Sequence, residues 1–152
     1  MYATTTTGLV RAPRSRVYAA LLDAEAVQRW RVPDGMTAEV HEWEPREGGR
    51  FRVSLTYHGD EAGKSGAHTD TYAGRFARLV PDEQVVEVLA FETDDPGLAT
   101  EMTMTTTLRD VDGGTEVELV HEGVPDAVRP EDNEAGSRMA LANLTAYVEG
   151  AG

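Results

Sequence analysis

The order of elements along this 152-residue chain constrains its fold more than any single motif does. A β-branched run, Thr4 to Val10, precedes two short helical segments, six strand-like runs with tight turns, and one long amphipathic helix. Helix-rich and strand-rich stretches are segregated rather than alternating, which places the chain in the α+β class. Six consecutive strands joined by short turns pair as an antiparallel meander, and the terminal helix needs a sheet face on which to bury its apolar stripe. The expectation is a curved antiparallel sheet gripping the last helix, with a cavity between them.

Local patterns set the boundaries. Pro13 suits a first helical turn, where its missing N–H costs nothing, and Val17, Tyr18, Leu21 and Leu22 recur at helical spacing, predicting a helix over 13–22. Asp23 is placed to cap a second helix from Ala24 to about Arg31, ended by the turn Pro33-Asp34-Gly35. Met36, Ala38 and Val40 alternate with polar residues, and the phase changes at Trp43, which predicts a bulge or bend near Glu42. After Gly48-Gly49, a tight turn requiring positive φ, the residues Phe51, Val53, Leu55 and Tyr57 share one strand face. Gly59 to Gly66 reads as a hairpin loop and 68–79 as a strand with Tyr72, Gly74 and Phe76 in phase, turned at Pro81-Asp82. Val85 to Phe91 is nearly all apolar, which predicts a strand covered on both faces or twisted inward. Met102, Met104, Thr106 and Leu108 alternate on the next strand, Asp112-Gly113-Gly114 supplies a hairpin, and Val117, Leu119 and His121 share a face beyond it. A helix over about 131–149 carries the stripe Leu141, Leu144 and Val148, flanked by Met139, Ala140 and Tyr147.

Composition then narrows the function. The length fits one domain over 1–152 with a single core. No cysteine is present, which excludes disulfides, thiolate metal sites and cysteine nucleophiles. Neither a signal-peptide pattern nor an apolar run of about 18 residues occurs, so a cytoplasmic location is expected. The net charge is −13 and unevenly spread: residues 80–152 hold Arg109, Arg129 and Arg138 against 17 acids. Such a surface repels phosphate backbones and anionic headgroups, which argues against nucleic-acid and membrane partners and leaves a basic protein partner open.

Several short motifs together carry a family resemblance. Arg16-Val17-Tyr18, Asp23, Arg29-Trp30, the run Glu44-Pro45-Arg46-Glu47-Gly48-Gly49-Arg50-Phe51, Val80-Pro81 and His121-Glu122-Gly123 follow one another in this order. In that order the chain resembles the SRPBCC, or START-like, superfamily, and within it the homologues of the heat-shock protein 90 ATPase activator. The resemblance covers nearly the whole chain. It implies a helix-grip fold, as in the birch-pollen allergens: a seven-stranded antiparallel sheet around the C-terminal helix, two short helices after the first strand, and a hydrophobic ligand cavity. Many members carry an aromatic residue just after the glycine of the last helix, whereas here Gly136 is followed by Ser137. That departure widens the cavity or adds a hydroxyl to it, so a relative's ligand does not transfer. The resemblance also implies two alternatives to simple binding, a polyketide cyclase or aromatase and a chaperone-associated protein-binding module. The latter role depends, in the eukaryotic-type activator, on an additional N-terminal domain that 152 residues do not accommodate.

No cluster of residues specifies a reaction. His41, His58, His68 and His121 lack metal-ligand spacing, and His58 and His68 flank a polar loop. His121 matters most, being in phase with Val117 and Leu119; it serves either as a hydrogen-bonded residue of the sheet or as an acid or base in the cavity. The acid pairs Asp94-Asp95, Asp110 with Asp112, and Glu131-Asp132 fall in turns or a helix start, where carboxylates are favoured locally. Gly48-Gly49 precedes a strand and lacks a P-loop lysine, so it is no phosphate cradle. An enzyme would need Tyr57, Tyr72, His121 or Glu92 to converge. The candidate ligand-binding residues are therefore apolar and aromatic: Trp30, Trp43, Phe51, Val53, Leu55, Tyr57, Tyr72, Phe76, Met102, Met104, His121 and Met139. The expected partner is a small hydrophobic or aromatic ligand with no metal or other cofactor. A homodimer through the strand Thr4 to Val10, or through an outward apolar patch, is the further open possibility.

Overall fold

A computed structural model describes residues 1–33, 35–57 and 69–150. The elements run β1 (Tyr2–Val10), α1 (Arg14–Leu22), α2 (Ala24–Trp30), β2 (Met36–Trp43), β3 (Arg50–Tyr57), β4 (Thr69–Val80), β5 (Gln84–Phe91), β6 (Met102–Val111), β7 (Gly114–Val124) and α3 (Pro130–Gly150). All strands join one antiparallel sheet in the order β1-β7-β6-β5-β4-β3-β2. The loop expected over Gly59 to Gly66, together with His58 and His68, lies outside the described residues, as does Asp34.

The sheet is a meander from β2 to β7, each strand pairing with the next in sequence, and β1 closes onto β7 from the opposite end of the chain. Thr4 pairs with His121 and Val10 with Thr115. The β6–β7 hairpin turns at Asp112-Gly113, where Gly113 has a φ of 88°. A Cβ on Gly114 would collide with the Val10 carbonyl, so glycine lets β1 end against this hairpin. The Gly48-Gly49 pair divides its work: Gly48 supplies the positive φ, at 81°, while Gly49 lies too close to the Glu44 carbonyl for any side chain. The register shift between Val40 and Glu42 is the bulge that the phase change predicts.

The short helices are pinned by their indoles and caps. Asp23 accepts a hydrogen bond from the Glu25 N–H at 3.0 Å and starts α2. Trp30 Nε1 donates to the Ala20 carbonyl at 2.9 Å, and Trp43 Nε1 donates to the Leu22 carbonyl at 2.8 Å. Val17, Ala20, Leu21, Ala26, Val27 and Trp30 enter the core. Helix α3 buries Ser137, Leu141, Leu144 and Val148, a 4-3-4 spacing that extends the predicted stripe by one serine. Leu141 packs over Gly8 of β1, and Asn143 Nδ2 donates to the Val32 carbonyl at 3.0 Å, fixing α3 to the end of α2.

β5 departs from its hydropathy. Val85, Glu87 and Leu89 are buried, whereas Val86 and Val88 are only half-buried on the other face. The strand obeys period-two alternation with a charge on its inner face, so neither full covering of both faces nor an inward twist describes it.

Candidate functional site

Between the concave sheet face and α3 lies a cavity of about 670 Å³. Its walls follow from strand phase: Leu55 and Tyr57 of β3, Tyr72 of β4, Val85, Glu87, Leu89 and Phe91 of β5, Met102, Met104 and Thr106 of β6, and Leu119 and His121 of β7. Trp30 and Arg31 close it from the end of α2, and Ser137, Met139, Ala140, Leu141 and Leu144 roof it from α3.

Eight of the twelve residues expected from sequence border this space: Trp30, Leu55, Tyr57, Tyr72, Met102, Met104, His121 and Met139. Trp43, Phe51, Val53 and Phe76 do not. Their side chains satisfy one another instead: Trp43 meets Phe76 edge-on with centroids 5.2 Å apart, and Phe51 lies 5.1 Å from Phe76. Phe51, Val53 and Phe76 are essentially sealed, with at most 1% of their surface exposed. The inner face of β3 therefore divides along its length, packed core at Phe51 and Val53 and cavity wall at Leu55 and Tyr57.

The polar inventory is concentrated in one cross-strand row. Glu87 pairs with Met104 and Met104 with His121 in the sheet register, so these three stand side by side on the inner face. Arg31 reaches into this row. Its Nη1 donates to Glu87 Oε1 and Oε2 at 2.7 and 3.1 Å, its Nη2 lies 3.7 Å from Met104 Sδ, and its guanidinium sits 5.4 Å from the Tyr72 ring centroid. The side chains are 13% and 4% exposed, so this ion pair is almost fully desolvated. Burial opposes the Arg31 charge, but Glu87 outweighs it and the guanidinium is held more basic than usual.

His121 is 8% exposed, and burial first, then the nearby Arg31 charge, push its pKa down to about 4. Asn133 Nδ2 donates to His121 Nδ1 at 2.9 Å, while the Asn133 amide oxygen accepts from the Thr4 hydroxyl. This amide orientation leaves the ring proton of the neutral imidazole on Nε2. Nε2 has no hydrogen-bond partner among the described residues, and neither has the Tyr72 hydroxyl. Burial raises the Tyr72 pKa, so the phenol stays protonated. Tyr57 differs, since its hydroxyl donates to Asp70 at 2.8 Å.

Glu92 does not join the site. It forms a two-pronged ion pair with Arg52, both contacts at 2.9 Å, on a half-exposed surface, and this hydrogen bonding holds its carboxyl below the usual range. His41 is likewise engaged elsewhere, with Nε2 2.8 Å from Ser54 Oγ. Among the described residues no group of three or more His, Asp or Glu side chains is placed to hold a metal ion. No helix among them is long and apolar enough to cross a membrane. Sequence reasoning did not single out Arg31, Glu87, Asp70 or Asn133. The available signal was Glu87, the one charge in phase with Val85 and Leu89 in an otherwise apolar strand.

Comparison with known proteins agrees with this geometry. A sequence profile of the family described as "Activator of Hsp90 ATPase homolog 1-like protein" matches residues 11–149. No curated protein matches the sequence. A crystal structure of a protein from Chromobacterium violaceum is 29% identical, with a TM-score of 0.87, over 98% of this chain and 99% of that one. A Rhodobacter sphaeroides protein superposes with a TM-score of 0.83 at 19% identity, over 99% of this chain and 94% of that one. An AHSA1-like protein from Aeromonas hydrophila gives 0.77 at 19% identity, over 98% and 93%. The latter two establish the fold alone, a helix-grip arrangement of seven strands around a C-terminal helix. With the profile spanning all but the two ends, the chain belongs to the activator of Hsp90 ATPase homolog 1-like family of the SRPBCC superfamily.

Proposed function

We propose that this protein binds a small hydrophobic or aromatic molecule in the cavity between the sheet and α3, as a carrier, a sequestering protein or a sensor. The observation that supports this best is the cavity itself: about 670 Å³, bordered by Trp30, Leu55, Tyr57, Tyr72, Met102 and Met104. Its size falls within the ~300–1,000 Å³ typical of small-molecule sites, and its few polar groups sit in an apolar wall, as such sites require. Proteins of this fold commonly bind hydrophobic ligands. Ser137 is buried and borders the cavity from α3, at the position where the family resemblance implies a ring in many members.

The two tryptophans provide an internal control. Trp30 borders the cavity and Trp43 is packed against Phe51 and Phe76, so a ligand should perturb Trp30 emission and leave Trp43 unchanged. Native mass spectrometry of the purified protein should reveal a co-purified lipophilic molecule and report whether the chain dimerises. An apo spectrum together with no Trp30 response across a panel of lipophilic and aromatic compounds would retire this reading. A cyclase-like enzyme is the second reading, favoured by Tyr72 and His121 bordering the same space, with the Tyr72 hydroxyl and His121 Nε2 lacking hydrogen-bond partners among the described residues. It predicts turnover that is lost in Tyr72→Phe and His121→Phe. A chaperone-binding role takes its support from the family's description alone, and a pull-down with the chaperone tests it.

A further inference from the structure

β1 forms one border of the sheet, and its outer edge carries none of the devices that keep strand edges apart. It runs nine residues, Tyr2–Val10, without a charged side chain or a proline. The register shift beside it opposes Ala3 to Glu122 and Gly123, so the extra residue belongs to β7 and β1 itself is not bulged. The opposite border is defended. β2 carries Glu39, His41 and Glu42, is bulged between Val40 and Glu42, and its Val40 N–H donates to Gln28 Oε1 of α2 at 2.9 Å. Charge, bulges and cover are how sheets avoid edge-to-edge pairing, so an edge of this length lacking all three is open to a further strand.

The ladder fixes which residues of β1 present that edge. The two-residue turn Asp112-Gly113 makes Val111 and Gly114 a bonded pair, and bonded pairs recur at every second residue of an antiparallel ladder. Gly114, Glu116, Glu118 and Val120 therefore bond to β6, while Thr115, Val117, Leu119 and His121 bond to Val10, Gly8, Thr6 and Thr4 of β1. The N–H and C=O groups of Ala3, Thr5, Thr7 and Leu9 then point away from β7, and among the described residues no side chain bonds to them. The side chains of these four residues are exposed on the convex face, whereas α3 meets β1 from the other face through Thr4 and Gly8.

We propose that this edge pairs with β1 of a second copy, antiparallel, about a two-fold axis at Thr5. The outward-pointing groups then meet with Thr5 against the partner's Thr5, Thr7 against the partner's Ala3 and Leu9 against the partner's Met1. This register brings together the two exposed large apolar side chains at the ends of the strand, Leu9 at 46% and Met1 at 77% exposure. Charge selects the same edge. The chain carries a net −13, so most surfaces of one copy repel another, whereas Met1 to Val10 contribute no charged side chain and the Met1 ammonium is paired with Asp126 at 2.8 Å. The two sheets become one continuous sheet with both cavities intact, so the proposal stands independently of the ligand reading.

The chain contains no cysteine, so single cysteines report the register directly. On the two-fold axis the two Thr5 Cα atoms stand about 5.5 Å apart, within disulfide reach, whereas Thr7 stands roughly 14 Å from its own copy. Under air oxidation Thr5→Cys should form a disulfide-linked dimer at least tenfold faster than Thr7→Cys. Sedimentation velocity of the parent should show the mass rising with concentration from 16.5 kDa toward twice that value. Thr5→Lys sets like charges opposite each other and should weaken association at least tenfold at an unchanged melting temperature. Both side chains are exposed, so neither position disturbs the core. A parent that stays monomeric up to millimolar concentration would overturn the proposal and leave the edge to a strand of a different protein. Equal cross-linking at the two positions, or a dimer indifferent to Thr5→Lys, would overturn it by placing the interface elsewhere.

Discussion

Replacing Arg31 by methionine isolates the buried ion pair, the costliest polar feature of the inner sheet face. Methionine preserves length and apolar contact with Met104 and Tyr72 but removes the charge that Glu87 meets at 2.7 and 3.1 Å. Glu87 is then left 4% exposed with no counter-charge, and breaking such a pair costs about 3–5 kcal/mol. Set against a typical domain stability of ~5–15 kcal/mol, this removes a large share of the total. Glu87→Gln should cost less, about 1.5–3 kcal/mol, because it keeps a hydrogen-bond acceptor and leaves Arg31, at 13% exposure, its contact with the Tyr72 ring. The double variant Arg31→Met with Glu87→Leu removes both charges and should recover most of the loss, ending within ~1 kcal/mol of the parent or above it. Urea denaturation of the three variants and the parent, analysed as a double-mutant cycle, measures this coupling. A cost below ~1 kcal/mol for Arg31→Met, or a double variant as unstable as the sum of the singles, would refute a desolvated pair.

Three further outcomes follow from the same geometry. His121 titrates near pH 6.5 when unfolded and at about 4 when folded, so the native state binds fewer protons; stability is complete above pH 6.5 and declines toward pH 4. The loss should approach on the order of 3 kcal/mol, and His121→Gln should flatten that limb of a stability-against-pH curve, whereas an unchanged limb would contradict the buried neutral imidazole. Ser137→Phe places a ring on the α3 side of the cavity; lipophilic probes should lose at least tenfold in affinity while the melting temperature holds or rises, and undiminished binding would place the ligand elsewhere. Gly114→Ala drives a Cβ into the Val10 carbonyl at the β1–β7 junction and should destabilise by about 1–3 kcal/mol in chemical denaturation, a neutral result arguing against that close approach.

The fold was legible in the sequence because its signals are local. Strand phase in β3, β6 and β7, the Val40–Glu42 bulge, the Asp112-Gly113 hairpin and the α3 stripe all depend on residues within a few positions of one another. The lining was legible only in part. Phe51 and Leu55 occupy the same phase of the same strand, yet one is sealed beside Trp43 and Phe76 while the other faces the cavity. What separates them is position along the strand relative to α3, a tertiary quantity with no hydropathy signature. The Arg31–Glu87 pair was not legible for a similar reason, since its partners are 56 residues apart and meet only when α2 closes the end of the sheet.

Titrating benzophenone into a Trp43→Phe variant while following Trp30 emission asks whether the space between sheet and α3 is a lipophilic binding site. Trp30 borders the cavity at 6% exposure and is then the sole indole. A ligand in this space should give a saturable change in emission that Ser137→Phe abolishes. A ligand bound by calorimetry with no response from Trp30, or with a response that survives Ser137→Phe unchanged, would contradict it.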